Sequence, residues 1–335
     1  MKYSLVEVAP VQPGLGKREA LSAALRAAEE AEAFEYHRIW YAEHHHSTGY
    51  ASQDPVPLMA IAAQRTSRIR VGSGAVLLNY HSPFAVAERF LQLEALTPGR
   101  IDLGIGHASS APLINYALLR DRNSQPTDDY SSQVKEVAGY YFNAFEDYHP
   151  FSTIDLTSGI DGVPELWLLG SSDRSARLAA ALGLRYTYGG HIAPQASSTV
   201  LSRYQAEFVA TPFGPPAPQT MLTLNIVAAD DDELAHKLTF PARALRSFGH
   251  ERPIPTLAQA ERELSDDDKH RPSTIQNGLI PAQISGTVES LREQLQPLIR
   301  STGATEIMVH DMVTDLELRS RSRQLVAQAL AGIQI

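Results

Sequence analysis

The sequence predicts a single (β/α)8 barrel domain over residues 1–335, an α/β fold with insertions at the C-terminal face. Eight short apolar segments alternate with segments of helical periodicity, which is typical of parallel strands joined by helices. No linker or internal repeat interrupts this alternation. A doubly wound nucleotide-binding sheet is disfavoured, because Gly14 and Gly16 are not followed by the third glycine of a G-x-G-x-x-G turn.

The predicted strands are short and rich in aliphatic and aromatic residues. They cover residues 3–8, 37–41, 68–78, 100–105, 165–169, 185–188, 221–228 and 306–310. Eight parallel strands can close into a barrel, so the last strand is expected to pair with the first.

A helical pattern follows each strand. Asp54 with Pro55, and Ser82 with Pro83, are typical N-cap and first-turn pairs. The predicted helices cover residues 18–33, 54–65, 83–97, 128–145, 172–182, 195–209, 231–248, 287–301 and 316–331.

Two segments depart from the alternation. Residues 107–127 are predicted to form a long polar loop, and residues 249–282 a partly helical, mobile excursion with several prolines and an acidic run. Loops at the C-terminal face of a barrel form its binding sites, so both are expected to shape the substrate pocket.

Composition excludes several classes of protein. The net charge of −9, with no basic cluster, disfavours nucleic acid and anionic membranes as partners. The sequence contains no run of about 18 apolar residues, the length needed to cross a membrane. The first residues lack the pattern of a signal peptide, and cysteine is absent, so thiolate chemistry is excluded and a cytoplasmic location is expected.

Histidines are concentrated where predicted strands end, which is where barrel enzymes place their chemistry. Five lie at such ends: His44, His45, His107, His191 and His310. The run from His44 to His46 suggests a metal site, but neighbours in an extended segment point to opposite faces. The alternative to a ligand role is that one of these three histidines is buried in the core and the other two are solvated.

Two glycine-containing segments are further candidates. Residues 170–175 place a glycine and three serines, Ser171, Ser172 and Ser175, at a helix start, where free amides and the helix dipole favour an anion. An ordinary serine N-cap explains the segment equally well. Gly72 and Gly74 interrupt an apolar strand, which indicates either a barrel-closure kink or a close backbone approach to a ligand.

In several segments the sequence resembles the bacterial luciferase-like flavin-dependent monooxygenases. Residues 38–45 (Arg-Ile-Trp-Tyr-Ala-Glu-His-His) resemble their second strand and the following loop, and residues 65–74 resemble their third strand. The similarity continues in residues 83–106, 166–180, 285–287 and 303–309, and their order and spacing are more specific than any one motif.

The resemblance implies a barrel that binds reduced FMN, or deazaflavin F420 in some branches, at its C-terminal mouth. It implies a non-prolyl cis peptide between Gly74 and Ala75 and a catalytic role for His44 beside the flavin ring. It also implies a phosphate loop formed by the hydroxyls of Ser171, Ser172 and Ser175. Such enzymes usually take FMNH2 from a separate flavin reductase, use O2, and form homodimers.

One position departs from the family pattern. Many relatives carry an arginine just after the fourth strand that reaches the flavin phosphate, whereas this chain has His107. Histidine is shorter and mostly neutral at pH 7, so phosphate binding is expected to be weaker, or to depend on Arg174 or Arg177.

Three functions follow from the resemblance. The first is a two-component FMN monooxygenase that hydroxylates or epoxidises a small biosynthetic intermediate, such as an aromatic polyketide. The second is an F420-dependent hydride-transfer enzyme. The third is a flavin-poor, non-catalytic subunit.

Overall fold

The protein is a closed barrel of eight parallel strands surrounded by helices, as the sequence predicts. In the computed structural model, residues 1–107, 112–118, 129–249 and 252–334 are described. The strands are β1 Lys2–Glu7, β2 Arg38–Tyr41, β3 Arg70–Ser73, β4 Val76–Leu77, β5 Ile101–Gly106, β6 Glu165–Gly170, β7 Arg185–Gly189, β8 Thr220–Ala228, β9 Ile284–Gly286 and β10 Glu306–His310.

Hydrogen bonding runs around the barrel in the order β10, β1, β2, β3, β5, β6, β7 and β8. The pairing of β8 with β10 then closes the ring. Lys2 of β1 pairs with Glu306 of β10, so the predicted contact between the first and last strands is confirmed.

The helices largely follow the predicted periodicity. They are α1 Lys17–Ala33, α2 Pro55–Arg65, α3 Pro83–Leu96, α4 Pro112–Leu118, α5 Tyr130–Phe142, α6 Asp173–Ala181, α7 Ser197–Glu207, α8 Asp232–Lys237, α9 Phe240–Phe248, α10 Leu257–Glu263, α11 Asp266–His270, α12 Val288–Thr302 and α13 Leu316–Ala331. The Asp54 side chain accepts a hydrogen bond from the Val56 amide, so the N-cap predicted for α2 is present. None of the described helices is long and apolar enough to span a membrane.

The structure corrects the prediction at several elements. The third strand, predicted to be continuous, is divided into β3 and β4, and the peptide bond between Gly74 and Ala75, which lie between them, is cis. The helix predicted over residues 231–248 is two helices, α8 and α9, and β9 is an additional short strand that pairs with the end of β8. The loop predicted over residues 107–127 contains α4, while residues 108–111 and 119–128 lie outside the described ones.

The N-terminal end of the barrel is filled by a buried ion-pair cluster. Arg38 Nη1 lies 2.6 Å from Asp102 Oδ2, and Arg38 Nε lies 2.8 Å from Glu306 Oε1. The indole rings of Trp40 and Trp167 pack edge to face above this cluster, with centroids 5.6 Å apart. This packing closes one end of the barrel, and the large cavity described below lies at the other end.

Candidate functional site

A cavity of about 1130 Å³ opens at the C-terminal end of the barrel. Its walls come from strand ends, from the loop after β2, and from α4 and the end of α9. The lining residues are Val6, Val8, Ala42, His44, His45, His46, Ser47, Thr48, Tyr50, Gly74, Ile114, Leu169, His191, Ile192, Thr223, Phe248, Gly249, Met308 and His310. Histidines and apolar side chains predominate, which suits a ligand with a large apolar surface and a few polar groups.

His44 lies on the wall of this cavity, as predicted. Its ring centroid is 4.6 Å from that of Tyr50, and its backbone amide donates to Ser52 O at 3.0 Å. The amide contact fixes the backbone at this position independently of the imidazole. A substitution at His44 is therefore expected to change the cavity surface without moving the loop.

The two neighbouring histidines take other roles. His45 Nε2 lies 2.7 Å from the carboxylate of Glu43, whereas His46 is exposed and has a left-handed backbone with φ of 52°. All three consecutive histidines line the cavity. Within the described residues, no group of three or more histidine, aspartate or glutamate side chains could hold a metal ion.

Glu43 organises the loop that carries His44. Its Oε1 accepts hydrogen bonds from His45 and from His81, and its Oε2 accepts one from the Leu77 amide at 2.9 Å. Burial raises the pKa of the Glu43 carboxyl, but the hydrogen bond and charge of His81 and the Leu77 amide outweigh it and leave the pKa below its usual value. A buried carboxylate thus ties the His44 loop to β4.

The two glycines of the third strand have different surroundings. Gly74 lines the cavity, and its peptide bond to Ala75 is cis, as the resemblance implies. Ala75 packs against the end of β5, where its Cβ lies 2.9 Å from the position of a Cβ built on Gly106. A Cβ would lie 2.6 Å from the Trp40 side chain at Gly72 and 3.1 Å from it at Gly74, so both glycines serve barrel packing, and Gly74 also lines the cavity.

The serine-rich turn after β6 forms a compact helix start. Ser172 is the N-cap of α6 and accepts from the Ser175 amide at 3.3 Å, so the ordinary capping role is present. Ser175 Oγ lies 2.9 Å from the Tyr186 hydroxyl. The Ser171 hydroxyl makes no hydrogen bond with the described residues. A Cβ on Gly170 would lie 2.2 Å from Ser175 Oγ, so only glycine permits this approach.

Negative charge at this helix start is already neutralised. Asp173 Oδ1 lies 2.6 Å from Arg203 Nε, and its Oδ2 lies 3.0 Å from Arg177 Nε. Arg177 is also paired with Glu207 on the outer surface, so its charge is committed there. The turn therefore offers hydroxyl and amide donors without a free carboxylate, which is the donor set that a phosphate requires.

His107 follows β5 and is exposed, with its ring centroid 4.9 Å from that of Tyr130. The Tyr130 hydroxyl is buried and makes no hydrogen bond with the described residues. Buried polar groups are nearly always satisfied, so an unsatisfied one beside a candidate cofactor position is a group that a bound ligand can satisfy. The hydroxyls of the α6 turn and of Tyr130 have the chemistry that a flavin phosphate requires.

His191 and His310 line the same cavity. Their ring centroids are 5.3 Å apart, and His310 Nδ1 lies 2.6 Å from Asn225 Oδ1. Burial lowers the pKa of His310 to about 4. Burial, with the neighbouring charges of His310, His44 and Arg246, lowers the pKa of His191 to about 3. Both rings are therefore neutral at pH 7.

The chain has known relatives. A family model for luciferase-like monooxygenases matches residues 1–306. The chain belongs to this family. It is 34% identical to a luciferase-like monooxygenase of Escherichia coli strain K12 over 331 residues, covering 96% of this chain and 95% of that protein. The crystal structure of apo-MsnO8 is 36% identical, covers 98% of each chain and superposes with a TM-score of 0.87.

More distant structures share the fold of this chain. One is the oxygenating constituent of 3,6-diketocamphane monooxygenase from Pseudomonas putida in complex with FMN, with a TM-score of 0.73 at 18% identity and coverage of 100% and 99%. Another is an F420-dependent secondary alcohol dehydrogenase, with a TM-score of 0.67 at 13% identity and the same coverage. Proteins with this fold thus use either cofactor.

Sequence reasoning missed three residues of the candidate site. Glu43 belongs to the recognised motif, but its hydrogen bonds to His81 and Leu77 depend on the folded third strand. Asn225 lies in the middle of the apolar strand β8, and an amide at such a position was a signal that it has a specific partner. The unsatisfied hydroxyl of Tyr130 depends on packing and has no sequence signal.

Proposed function

We propose that the protein is the oxygenase component of a two-component FMN-dependent monooxygenase. It would insert one oxygen atom of O2, by hydroxylation or epoxidation, into a small organic intermediate such as an aromatic polyketide. The observation that best supports this proposal is that His44 and Gly74 line the same large cavity. The serine-rich start of α6 follows Leu169, which also lines that cavity.

In this proposal the phosphate of FMN binds at the start of α6. The hydroxyls of Ser171, Ser172 and Ser175 are its donors. His107 follows β5, the strand that pairs with β6, and its ring packs against that of Tyr130. The helix dipole adds about 0.3–1 kcal/mol in favour of the anion. The flavin ring then lies by Gly74, Ala75 and His44. Reduced FMN, when bound, supplies the electrons that activate O2.

The remaining cavity residues prepare the site for oxygen transfer. Val6, Leu169 and Met308 give it apolar walls, which exclude water and favour an apolar substrate. His44 carries an imidazole that can hold or move a proton at the reacting oxygen. The volume of the cavity accommodates an aromatic substrate beside the flavin ring.

The deciding experiment is a titration of FMN and FMNH2 into the Ser172→Asp variant. Aspartate is as good an N-cap as serine, so α6 and the fold should persist while the new carboxylate repels the phosphate. Loss of FMN binding with an unchanged melting temperature supports the proposal. Unchanged affinity would place the phosphate elsewhere, and binding of F420 in preference to FMN would favour the hydride-transfer enzyme.

A matched control is available in the Ser265→Asp variant. Ser265 is the N-cap of α11 and accepts from the Asp268 amide, so the same substitution is made at the same structural position of another helix. This variant should bind FMN like the unsubstituted protein. If both variants lost FMN binding equally, added negative charge alone would explain the effect.

The proposal includes two protein partners. A separate flavin reductase would supply FMNH2, and the oxygenase would be a homodimer in the cytoplasm. Sedimentation equilibrium at micromolar concentration tests the oligomeric state, and a monomer there would contradict it.

A further inference from the structure

His191 and His310 present two ring edges to the cavity that the proposed flavin site does not use. His191 follows β7, and its backbone amide donates to Thr223 O at 2.9 Å. His310 ends β10, next to Asn225 in the register of β8 with β10. A smaller cavity of about 290 Å³ shares both histidines and Tyr50 with the large one.

The tautomer of His310 follows from the hydrogen bonds of Asn225. The Nδ2 of Asn225 donates to Ala282 O at 2.7 Å, which orients the amide and leaves Oδ1 as an acceptor. Oδ1 lies 2.6 Å from His310 Nδ1, so the ring proton is on Nδ1. In the neutral ring the other nitrogen, Nε2, then carries a lone pair. Nε2 makes no hydrogen bond with the described residues, so it can accept one from a ligand.

The opposite tautomer is favoured for His191. Its Nδ1 is buried and has no hydrogen-bond partner among the described residues. An orphaned buried N–H is rarer in proteins than an under-satisfied acceptor. The proton is therefore expected on Nε2, where the ring borders the cavity. His191 is then a hydrogen-bond donor and His310 an acceptor, on adjacent rings.

We propose that His191 and His310 form a subsite that binds a hydroxyl group of the substrate, with His191 Nε2 donating to the oxygen and His310 Nε2 accepting its proton. A hydroxyl satisfies both rings, whereas a ketone or an ether satisfies one. The apolar residues Leu169, Met308 and Phe248 line the same cavity and suit an aromatic ring, so the substrate class is a phenol. Asn225 is a positioning residue that acts through His310.

This inference rests on the proposed function only in taking the cavity as the substrate site, so the test contains no flavin. The equilibrium affinities of 2-naphthol and its methyl ether, 2-methoxynaphthalene, are measured on the purified protein by calorimetry. The hydroxyl compound should bind about tenfold more tightly, which corresponds to ~1.4 kcal/mol. The proposal would be overturned if the two probes bound with equal affinity or if neither probe bound.

The His310→Leu and His310→Gln variants assign this difference to the subsite. Leucine removes the acceptor, so 2-naphthol should bind as weakly as the ether, and affinity for the ether should not change. Glutamine retains an acceptor and should keep part of the preference. His270→Leu, an exposed histidine of α11, should keep all of it. A preference that survives in His310→Leu contradicts the assignment.

Nitrogen-15 NMR of the imidazole rings gives an independent readout that a purely structural role would not affect. His310 should be observed as the Nδ1–H tautomer and His191 as the Nε2–H tautomer at pH 7. In Asn225→Leu the His310 ring should become a mixture of tautomers, with a weaker preference for 2-naphthol. A His310 ring protonated on Nε2 in the unsubstituted protein would refute the arrangement. Loss of FMN binding would overturn the proposed function but would leave both of these readouts unchanged.

Discussion

Glu43 and His81 are joined by a hydrogen bond of 2.8 Å between Oε1 and Nε2. The contact connects the loop after β2, which carries His44, to the residues that follow β4. Glu43 is only 5% exposed, and it also accepts from the Leu77 amide. The two sides of the proposed flavin-ring site, His44 and the Gly74–Ala75 segment, are therefore held in register by one buried carboxylate.

Replacing Glu43 with leucine should reduce stability and disturb the site together. The substitution leaves His45, His81 and the Leu77 amide without their acceptor, and an unsatisfied buried group costs about 1–3 kcal/mol. The free energy of unfolding in urea should fall by that amount, and FMN should bind more weakly.

Two further variants control this prediction. Glu43→Gln keeps one acceptor oxygen and should lose less stability. Glu293→Leu, at an exposed position of α12, should stay within about 0.5 kcal/mol of the unsubstituted protein. An unaltered affinity for FMN in a folded Glu43→Leu variant would show that the His44 loop does not depend on Glu43.

A buried cluster of two carboxylates and two guanidiniums attaches α13 to the barrel. Arg323 lies 2.8 Å from Glu7 and 2.7 Å from Asp311, and Arg319 contacts both carboxylates. Arg323→Met leaves an excess of buried negative charge and should cost about 3–5 kcal/mol of stability. Arg321→Met, on the same helix, breaks an exposed pair with Asp230 and should cost less than about 1 kcal/mol. Equal losses of unfolding free energy in urea for Arg323→Met and Arg321→Met would contradict the stabilising role of the buried cluster.

The same cluster predicts the acid stability of the protein. Burial raises the pKa of Asp311, but Arg319 and Arg323 outweigh it and lower the pKa to about 2, and they also lower the pKa of Glu7. These depressed values stabilise the fold above about pH 4, and that stabilisation is lost as the pH falls towards 2. Unfolding free energies measured from pH 7 to pH 2 should show this decline, with a shallower acid limb in Arg323→Met.

The barrel was predictable because its signals are local. Each strand is a short apolar run, and the helix of α2 begins at an Asp–Pro pair that retains its capping bond. The third strand is divided at Gly74 and Ala75, and the cis bond between them was implied only by the resemblance and not by the residues alone. The strand β9 was missed because three residues carry too little periodicity, and its partner is the distant end of β8.

The site was only partly predictable, because some of its contacts join residues that are distant in the sequence. His44 and Gly74 line the predicted mouth because strand ends fix their position in any barrel of this kind. By contrast, Asn225 and Ala282 are 57 residues apart, and the bond between them depends on how the segment before β9 packs against β8. Ser171, Ser172 and Ser175 lie together as predicted, whereas their role as phosphate donors remains a prediction.

His107→Arg should tighten FMN binding. His107 is exposed at the end of β5 and close to the ring of Tyr130, so a longer side chain can be accommodated there. A guanidinium is always charged and offers two parallel donors to a phosphate. We expect the dissociation constant to fall by about tenfold, ~1.4 kcal/mol, in a fluorescence titration. His107→Gln adds no charge and should not tighten binding. An unchanged affinity in His107→Arg would place the phosphate away from β5.

His44→Ala should separate cofactor binding from oxygen chemistry. The backbone at His44 is held by Ser52 and the proposed phosphate site is at the start of α6, so the variant should bind FMNH2 with nearly unchanged affinity. Without the imidazole that holds or moves a proton at the reacting oxygen, turnover with substrate should fall by about 10²-fold. Reduced flavin should instead be consumed with release of hydrogen peroxide.

Stopped-flow mixing of the FMNH2-bound protein with O2, with peroxide measured enzymatically, tests this prediction for His44→Ala. The His270→Ala variant should release peroxide at the rate of the unsubstituted protein. If His44→Ala released peroxide at the same rate as the unsubstituted protein, His44 would have no part in the proposed mechanism. A loss of FMNH2 binding in this variant would instead make His44 a cofactor ligand.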